Sequence, residues 1–435
     1  MTLFHDVLTG LRRRGQGGEP PRLVRFPNVL QRHWIISSLV VVLLIGSGSF
    51  VGWHQSQKCG QGMIATGSPY VCVGLDLDST AFKDNDPLAD LENTIAQRNR
   101  TISGPFATIV LLEDLTPDPH SDSVSSRSHR HSIEGAITAV SRANDPRTSG
   151  ALPKIKFLLA NYGLGAEAWQ QAVDAIKQNR MSEHIVAVTG IGQSLDTTRA
   201  AVAALSAAGI AVVGADTTAD NINVAPDPGA KRSTNFVRVA PTNTEEAQAA
   251  ANYIMQHGYR KVLLVKDVNE GDSYAQTLAS AFAADVKPAY TEPYRSPEGA
   301  LSLATREQLM SKMFAEMHSD ICAIKPELIY FAGRGTDLGY FLTALSSSGA
   351  CGLGLLDVLT GDDAQNLFGG PISTSGDLSF TVFYTAFAYT DEWNGFPSTS
   401  DYVKNYQEAY AKPSLKKYRP IAARNEDKKV FSGLL

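Results

Sequence analysis

Thr189-Gly190-Ile191-Gly192-Gln193-Ser194 places two glycines, one residue apart, between a strand pattern and a helix pattern, and ends on a serine hydroxyl. Backbone N–H groups left open at a helix N-terminus, with a hydroxyl beside them, suit an anionic group such as a carboxylate. A full dinucleotide fingerprint is excluded, because Leu195 stands where the third glycine belongs and Gly-x-Gly alone is weak. The alternative is a glycine-permitted turn followed by a Ser/Thr helix cap. Asn161-Tyr162-Gly163-Leu164-Gly165 is a weaker half-match of the same kind. Asp362 and Asp363 form an acidic pair just after the strand pattern 355–359. Such a pair can face a ligand ammonium, or cap a helix that opens at Ala364.

Catalytic chemistry finds no comparable support. The sequence holds no Gly-x-Ser-x-Gly elbow, no His-Glu-x-x-His and no P-loop, so neither an enzyme nor a cofactor is expected. His129 and His131 stand two apart, which directs them to different faces of a helix, and they are read as part of a solvated loop. Four cysteines are too few to scaffold the body. If that body is exported, two local disulfides, Cys59 with Cys72 and Cys322 with Cys351, are the economical reading, and buried free thiols are the alternative. Zinc is disfavoured for want of a Cys-x-x-Cys pair and a suitably spaced histidine.

These residues need a scaffold, and 435 residues leave room for two domains of ordinary size. A hydrophobic fraction of 43% with 19% charged residues rules out wholesale disorder. The net charge of −5 is uneven: residues 1–33 carry six arginines against Asp6 and Glu19, so the rest is more acidic still. A body of that sign lacks the basic face nucleic acid requires. Trp34 to Trp53 runs without a charge and would span about 30 Å as a helix, with a tryptophan for each interface. The arginines before it put the N-terminus in the cytoplasm, making a single-pass signal anchor in the cell membrane with the body outside. A cleaved signal peptide and a buried core helix are the alternatives.

Downstream, residues 54–103 read as a membrane-proximal connector. Its helical pattern Pro87–Arg100 turns Leu88, Leu91 and Ile95 to one face, and Asn99-Arg100-Thr101 fits a glycosylation sequon. Strand patterns at 106–112, 155–160, 185–189 and 210–213 then alternate with helical patterns at 132–144, 166–178 and 197–208. The alternation restarts with a helix at 245–257, a strand at 262–265, helices at 273–284 and 310–321, a strand at 328–331, a helix at 338–346 and a strand at 355–359. Continuous β-branched runs, each followed by an amphipathic helix, predict an α/β protein. It has two lobes joined near Pro241, each a parallel sheet flanked by helices. The expected division is a basic tail 1–33, a membrane helix 34–53, a connector 54–103, lobe 1 at 104–240, lobe 2 at 241–365 and a return segment toward lobe 1 at 366–435. Ligands of such sheets bind at the carboxyl ends of the strands, in the cleft.

The order of segments resembles the type I periplasmic-binding-protein family, in its leucine and branched-chain amino-acid binding branch. The stretches that carry the resemblance are Ile133-Glu134-Gly135-Ala136 through Asn144, TGIGQSLDTTRA at 189–200, FVRVAPTNTEEAQAAANYIMQHGYRKVLLV at 236–265, YFAGRGTDLGYFLTAL at 330–345 and LTGDDAQN at 359–366. The resemblance implies that Ser194 and Thr217 or Thr218 hold a ligand carboxylate, and that Tyr274 opens the first helix of the second lobe at the cleft. It sets Arg334 or Gly335 near a family tyrosine and Asp362 or Asp363 near the family's ammonium-binding glutamate. Arginine in place of tyrosine adds a positive charge that could pair with an anionic ligand group. Alternatively, Arg334 pairs with Asp337 or Asp362 and fixes its loop. Family members return to complete the first lobe after the last crossover. YVKNYQEAY at 402–410 begins such a return, and the chain then turns basic and polar.

The expected function is an extracytoplasmic solute-binding protein that closes on a small amino-acid-like ligand and, as the resemblance implies, serves an ABC permease. The alternative is a membrane-anchored ligand-sensing receptor. It would need a partner protein, since 33 residues are too few for a signalling domain.

Overall fold

The computed structural model describes residues 59–66, 71–82, 86–116, 126–146, 153–163, 167–297, 303–349, 351–369 and 378–387. The basic tail, the apolar run from Trp34 to Trp53 and everything after 387 lie outside them. Among the described residues, no helix is long and apolar enough to cross a membrane.

Lobe 1 is built from β1 (Met63–Thr66), β2 (Val71–Asp76), α1 (Ala89–Arg100), β3 (Phe106–Glu113), α2 (Ser126–Ala143), β4 (Lys154–Asn161), α3 (Trp169–Gln178), β5 (Ile185–Gly190), α4 (Asp196–Ala207), β6 (Ala211–Gly214) and β7 (Phe236–Arg238). Lobe 2 holds α5 (Asn243–His257), β8 (Val262–Asp267), α6 (Ser273–Val286), β9 (Tyr290–Tyr294), α7 (Leu303–Ile324), β10 (Leu328–Ala332), α8 (Gly335–Ser348), β11 (Leu355–Thr360), a 3-10 helix (Asp362–Gly369) and β12 (Ser379–Tyr384). The sheets run β1-β2-β4-β3-β5-β6-β7 and β12-β11-β10-β8-β9. In each, five parallel strands follow the same doubly wound order, which reverses direction beside its first strand and opens a crevice there. The chain passes between lobes at Pro241, and Thr242 with Glu245 forms a capping box that starts α5.

Both faces of each sheet are covered, which is why its strands read as unbroken apolar runs. In lobe 2, Leu263, Val265, Ile329 and Phe331 face α7 and α8. Val262, Leu264, Leu328 and Tyr330 face α5 and α6. In lobe 1, α3 and α4 cover one face and α1 and α2 the other.

Three expectations are corrected here. The supposed connector is, over its described residues, part of lobe 1: β1 and β2 form an antiparallel hairpin that extends the sheet along β4. Helix α1 and its N-cap residue bury Leu88, Leu91 and Ile95 in the lobe 1 core, at about 1.5–3 kcal/mol for each side chain so buried. Cys59–Cys72 therefore ties the edge hairpin of lobe 1, while Cys322–Cys351 joins α7 to the turn before β11. The supposed return segment contributes β12 to lobe 2, parallel to β11. Finally, His129 is not in a solvated loop. Helix α2 begins at Ser126, and His129 is 1% exposed, its Nδ1 2.7 Å from Glu113 Oε2. Strand β9 escapes the sequence pattern because it contains Pro293, which a ladder tolerates at a sheet edge.

Strand β2 covers β4 only from Leu159 onward. Before that point two asparagines stand in for a strand. Asn144 Nδ2 donates to Ile155 O (2.8 Å) and its Oδ1 accepts from Ile155 N (2.7 Å). Asn99 does the same for Phe157, at 2.7 and 3.1 Å. The sequon asparagine thus has its amide engaged, and a glycan on Nδ2 would break that pairing. Asn99→Ala is expected to lower stability by about 1–3 kcal/mol, the cost of stranding buried backbone groups. Urea denaturation checks this, and a loss below a few tenths would show that water replaces the amide.

Candidate functional site

After β5 the chain takes three consecutive left-handed residues, Gly190 (φ +84°), Ile191 (+59°) and Gly192 (+62°). Glycine adopts this region freely, whereas β-branched Ile191 does so at a cost. Tyr162 Oη donates to Ile191 O at 2.8 Å and holds it there. A Cβ on Gly192 would overlap that hydroxyl, so the second glycine is needed for close approach. The turn delivers Ser194, 4% exposed, whose Oγ accepts from Ala219 N at 3.3 Å.

The predicted residues of the two lobes meet here. Ser194 O accepts from Tyr274 N (3.0 Å) and from Arg334 Nη2 (3.3 Å). Thr218 Oγ1 reaches Asp362 Oδ1 at 3.5 Å, and Thr218 O accepts from Asn243 N at 2.8 Å. Thr217 is fully buried, and its hydroxyl has no hydrogen-bond partner among the described residues. At the N-terminus of α4, Asp196 N donates to Gly271 O of lobe 2 (3.0 Å), and Ser273 Oγ donates to Asp196 Oδ1 (2.7 Å).

Arg334 follows β10 at the N-cap position of α8. Its Nε and Nη2 donate to Asp272 Oδ2 and Oδ1 at 2.6 and 2.8 Å, a bidentate pair. The guanidinium also lies 4.7 Å from the centre of the Tyr274 ring, with Nη1 3.9 Å from Asp363 Oδ1. Burial alone would lower the arginine's pKa, but Asp272 and Asp363 outweigh it and hold the group above its ordinary value. The Tyr274 hydroxyl is pushed well up by burial, then by Asp362 and Glu246. Asp362 N donates to Glu246 Oε2 (3.0 Å), and Asp363 Oδ2 accepts from Gly335 N (2.7 Å) at the start of α8.

Arg334 therefore pairs with neither Asp337 nor Asp362. Asp337 is taken by Arg306 at 2.9 Å. The cleft residues that pattern reading missed are Asp272, Asp196 and Glu246. Asp272 did carry a signal: it stands just before the predicted helix at 273, where an N-cap belongs, and its Oδ1 accepts from Ala275 N. The whole arrangement is a set of hydroxyls, carboxylates and guanidinium groups that meet where the two lobes touch.

No family model matches the sequence, and no curated protein matches it. Solved structures do. An ABC-transporter substrate-binding protein from Aeropyrum pernix superposes with a TM-score of 0.51 at 16% identity, covering 76% of each chain. A leucine-binding protein from Thermotoga maritima gives 0.49 at 16% identity, over 75% of this chain and 87% of its own. A solute-binding protein from R. palustris, solved with benzoate, gives 0.47 at 16% identity over 76% and 78%. The likeness to the Aeropyrum pernix protein shows that this chain has the two-lobed α/β fold of such binding proteins.

Proposed function

We propose that this protein captures a small amino-acid-like solute between its lobes, without catalysis, and passes it to an ABC-type permease. The observation that carries this reading is the meeting of Ser194 and Thr218 from one lobe with Tyr274, Arg334 and Asp362 from the other. Contacts drawn from both sides favour the closed form, and a ligand shifts the equilibrium by its differential affinity for that form. The Ser194 and Thr217 hydroxyls suit a carboxylate, and Asp362 an ammonium. With Arg334 taken up by Asp272, its role in the closed form is to fasten the lobes and not to add a further anionic subsite. We also propose that Trp34 to Trp53 anchors the chain in the membrane, with the body outside.

A thermal-shift screen of amino acids, peptides and small organic acids tests the binding. A ligand at a hundred times its Kd should stabilise by about 2.7 kcal/mol. Asp362→Asn should weaken amine-bearing hits at least tenfold, and small-angle scattering should show compaction on binding. Hits that bind equally well to Asp362→Asn, or bind without compaction, would sink the reading.

A further inference from the structure

The two disulfides sit in opposite surroundings. Cys59 and Cys72, 0% and 9% exposed, are sealed in a core cluster under the lobe 1 hairpin. Cys322 and Cys351, on lobe 2, are both only half-buried. His318, one turn before Cys322 on α7, brings its ring nitrogens to 3.7 Å (Nδ1) and 3.5 Å (Nε2) from Cys322 Sγ, and Nε2 lies 3.8 Å from Cys351 Sγ. Nε2 also lies 2.8 Å from Gly349 O, an acceptor only, so that nitrogen carries the ring proton. That same N–H is the ring nitrogen nearer Cys322 Sγ, and it lies closer to Cys322 than to Cys351. Cys351 itself has φ +37°, a left-handed backbone for a residue with a side chain, between Gly349 at +99° and Gly352 at +76°. Backbone held in such a region is uncommon for a residue with a side chain and concentrates at functional and switch sites.

We propose that Cys322–Cys351 is a thiol-exchange site, open to a low-molecular-mass thiol or to the dithiol of an oxidoreductase. An incoming thiolate attacks Cys351 Sγ. The new sulfur–sulfur bond forms as the Cys322–Cys351 bond breaks, and the electron pair leaves on Cys322 Sγ. The His318 ring N–H stands nearer to that sulfur than to Cys351 Sγ and stabilises the thiolate, which makes Cys322 the better leaving group. A second thiolate, from another molecule or from the same dithiol, then attacks the mixed disulfide at the sulfur of the first. Cys351 leaves as a thiolate and takes a proton from water. Overall, two external thiols are oxidised to a disulfide and the protein disulfide is reduced to two thiols.

The full chain, with both disulfides intact, is incubated with limiting glutathione, quenched with an alkylating agent and mapped by mass spectrometry. The expected result is opening of Cys322–Cys351 at least about tenfold faster than Cys59–Cys72, with glutathione on Cys351 and the alkyl group on Cys322. His318→Gln, which keeps a donor for Gly349 O, should slow opening about tenfold. His318→Lys, which puts a cation there, should recover more of the rate than the glutamine variant. The thermal midpoints of both variants are measured alongside, so that a loss of fold is not read as a loss of rate. Equal opening of the two disulfides, glutathione on Cys322, or a rate indifferent to the charge at 318 in folded variants would each overturn the proposal.

Discussion

Arg334→Ala is expected to lower stability by about 3–5 kcal/mol, the usual cost of breaking a buried ion pair by removing one partner. The loss comes mostly from what stays behind. Asp272 is 6% exposed, and its carboxylate would keep its cap on α6 without the guanidinium that now satisfies it. The variant also loses the bond to Ser194 O across the lobes and the cover over the Tyr274 ring. Arg334→Lys keeps the charge but not the fork, and should fall between the two. Urea denaturation of the three proteins, with Asp272→Asn and the double variant closing a cycle, measures the coupling. A loss below 1 kcal/mol for Arg334→Ala would mean that the lobes open and water reaches Asp272 readily.

A second large effect lies in lobe 1, where Glu92 on α1 meets Asp76 at the end of β2. Glu92 is 3% exposed and accepts from Ala81 N (2.7 Å) and Phe82 N (3.2 Å). Burial first, and then the neighbouring Asp76, push its pKa from 4.5 up to about 9. Burial pushes Asp76 upward as well. A folded value above the unfolded one means that the stabilisation is complete below about pH 4.5 and is lost as pH rises toward 9. Between pH 4.5 and 7 this group should remove roughly 3 kcal/mol. Glutamine mimics the protonated acid: its oxygen can accept from the same two amides while its nitrogen donates to Asp76. Glu92→Gln should therefore match the wild type near pH 4.5 and exceed it increasingly toward pH 8. Thermal midpoints across that range check it, and parallel curves would show that Glu92 is ionised in the folded protein.

The parallel strands and the helices that cover them were legible because each carries a full apolar run or face, as Leu328–Ala332 and the Phe341 face of α8 do. The edges were not. Strands β1 and β2 are short and the second is interrupted by Gly74, β9 contains a proline, and β12 lies beyond the last recognisable helix pattern. In the cleft, Ser194, Thr218, Tyr274, Arg334 and Asp362 were nameable from the sequence, and they meet. Their pairing was not nameable. Arg334 and Asp272 are separated by 62 residues, and nothing local distinguishes that partner from Asp337, three residues away. The direction of α8 decides it, by turning Asp337 toward Arg306. His129 misled for the same reason: a polar run read as solvated is, in the fold, the first turn of a helix, whose one inward residue, His129, is held by Glu113.

Asn99 and Asn144 bear on how the protein behaves among copies of itself. A strand edge with open N–H and C=O groups is a template on which another chain can add its own strand. The part of β4 left bare by the hairpin would be such a template, were it not that each amide fills both hydrogen-bonding positions of one residue. An incoming strand would have to displace two bidentate contacts that are already closed within the fold. Two side chains remote from the contact between the lobes thereby guard lobe 1 against sheet-to-sheet aggregation, and variants at 99 or 144 should reveal themselves in turbidity on concentration as well as in their melting.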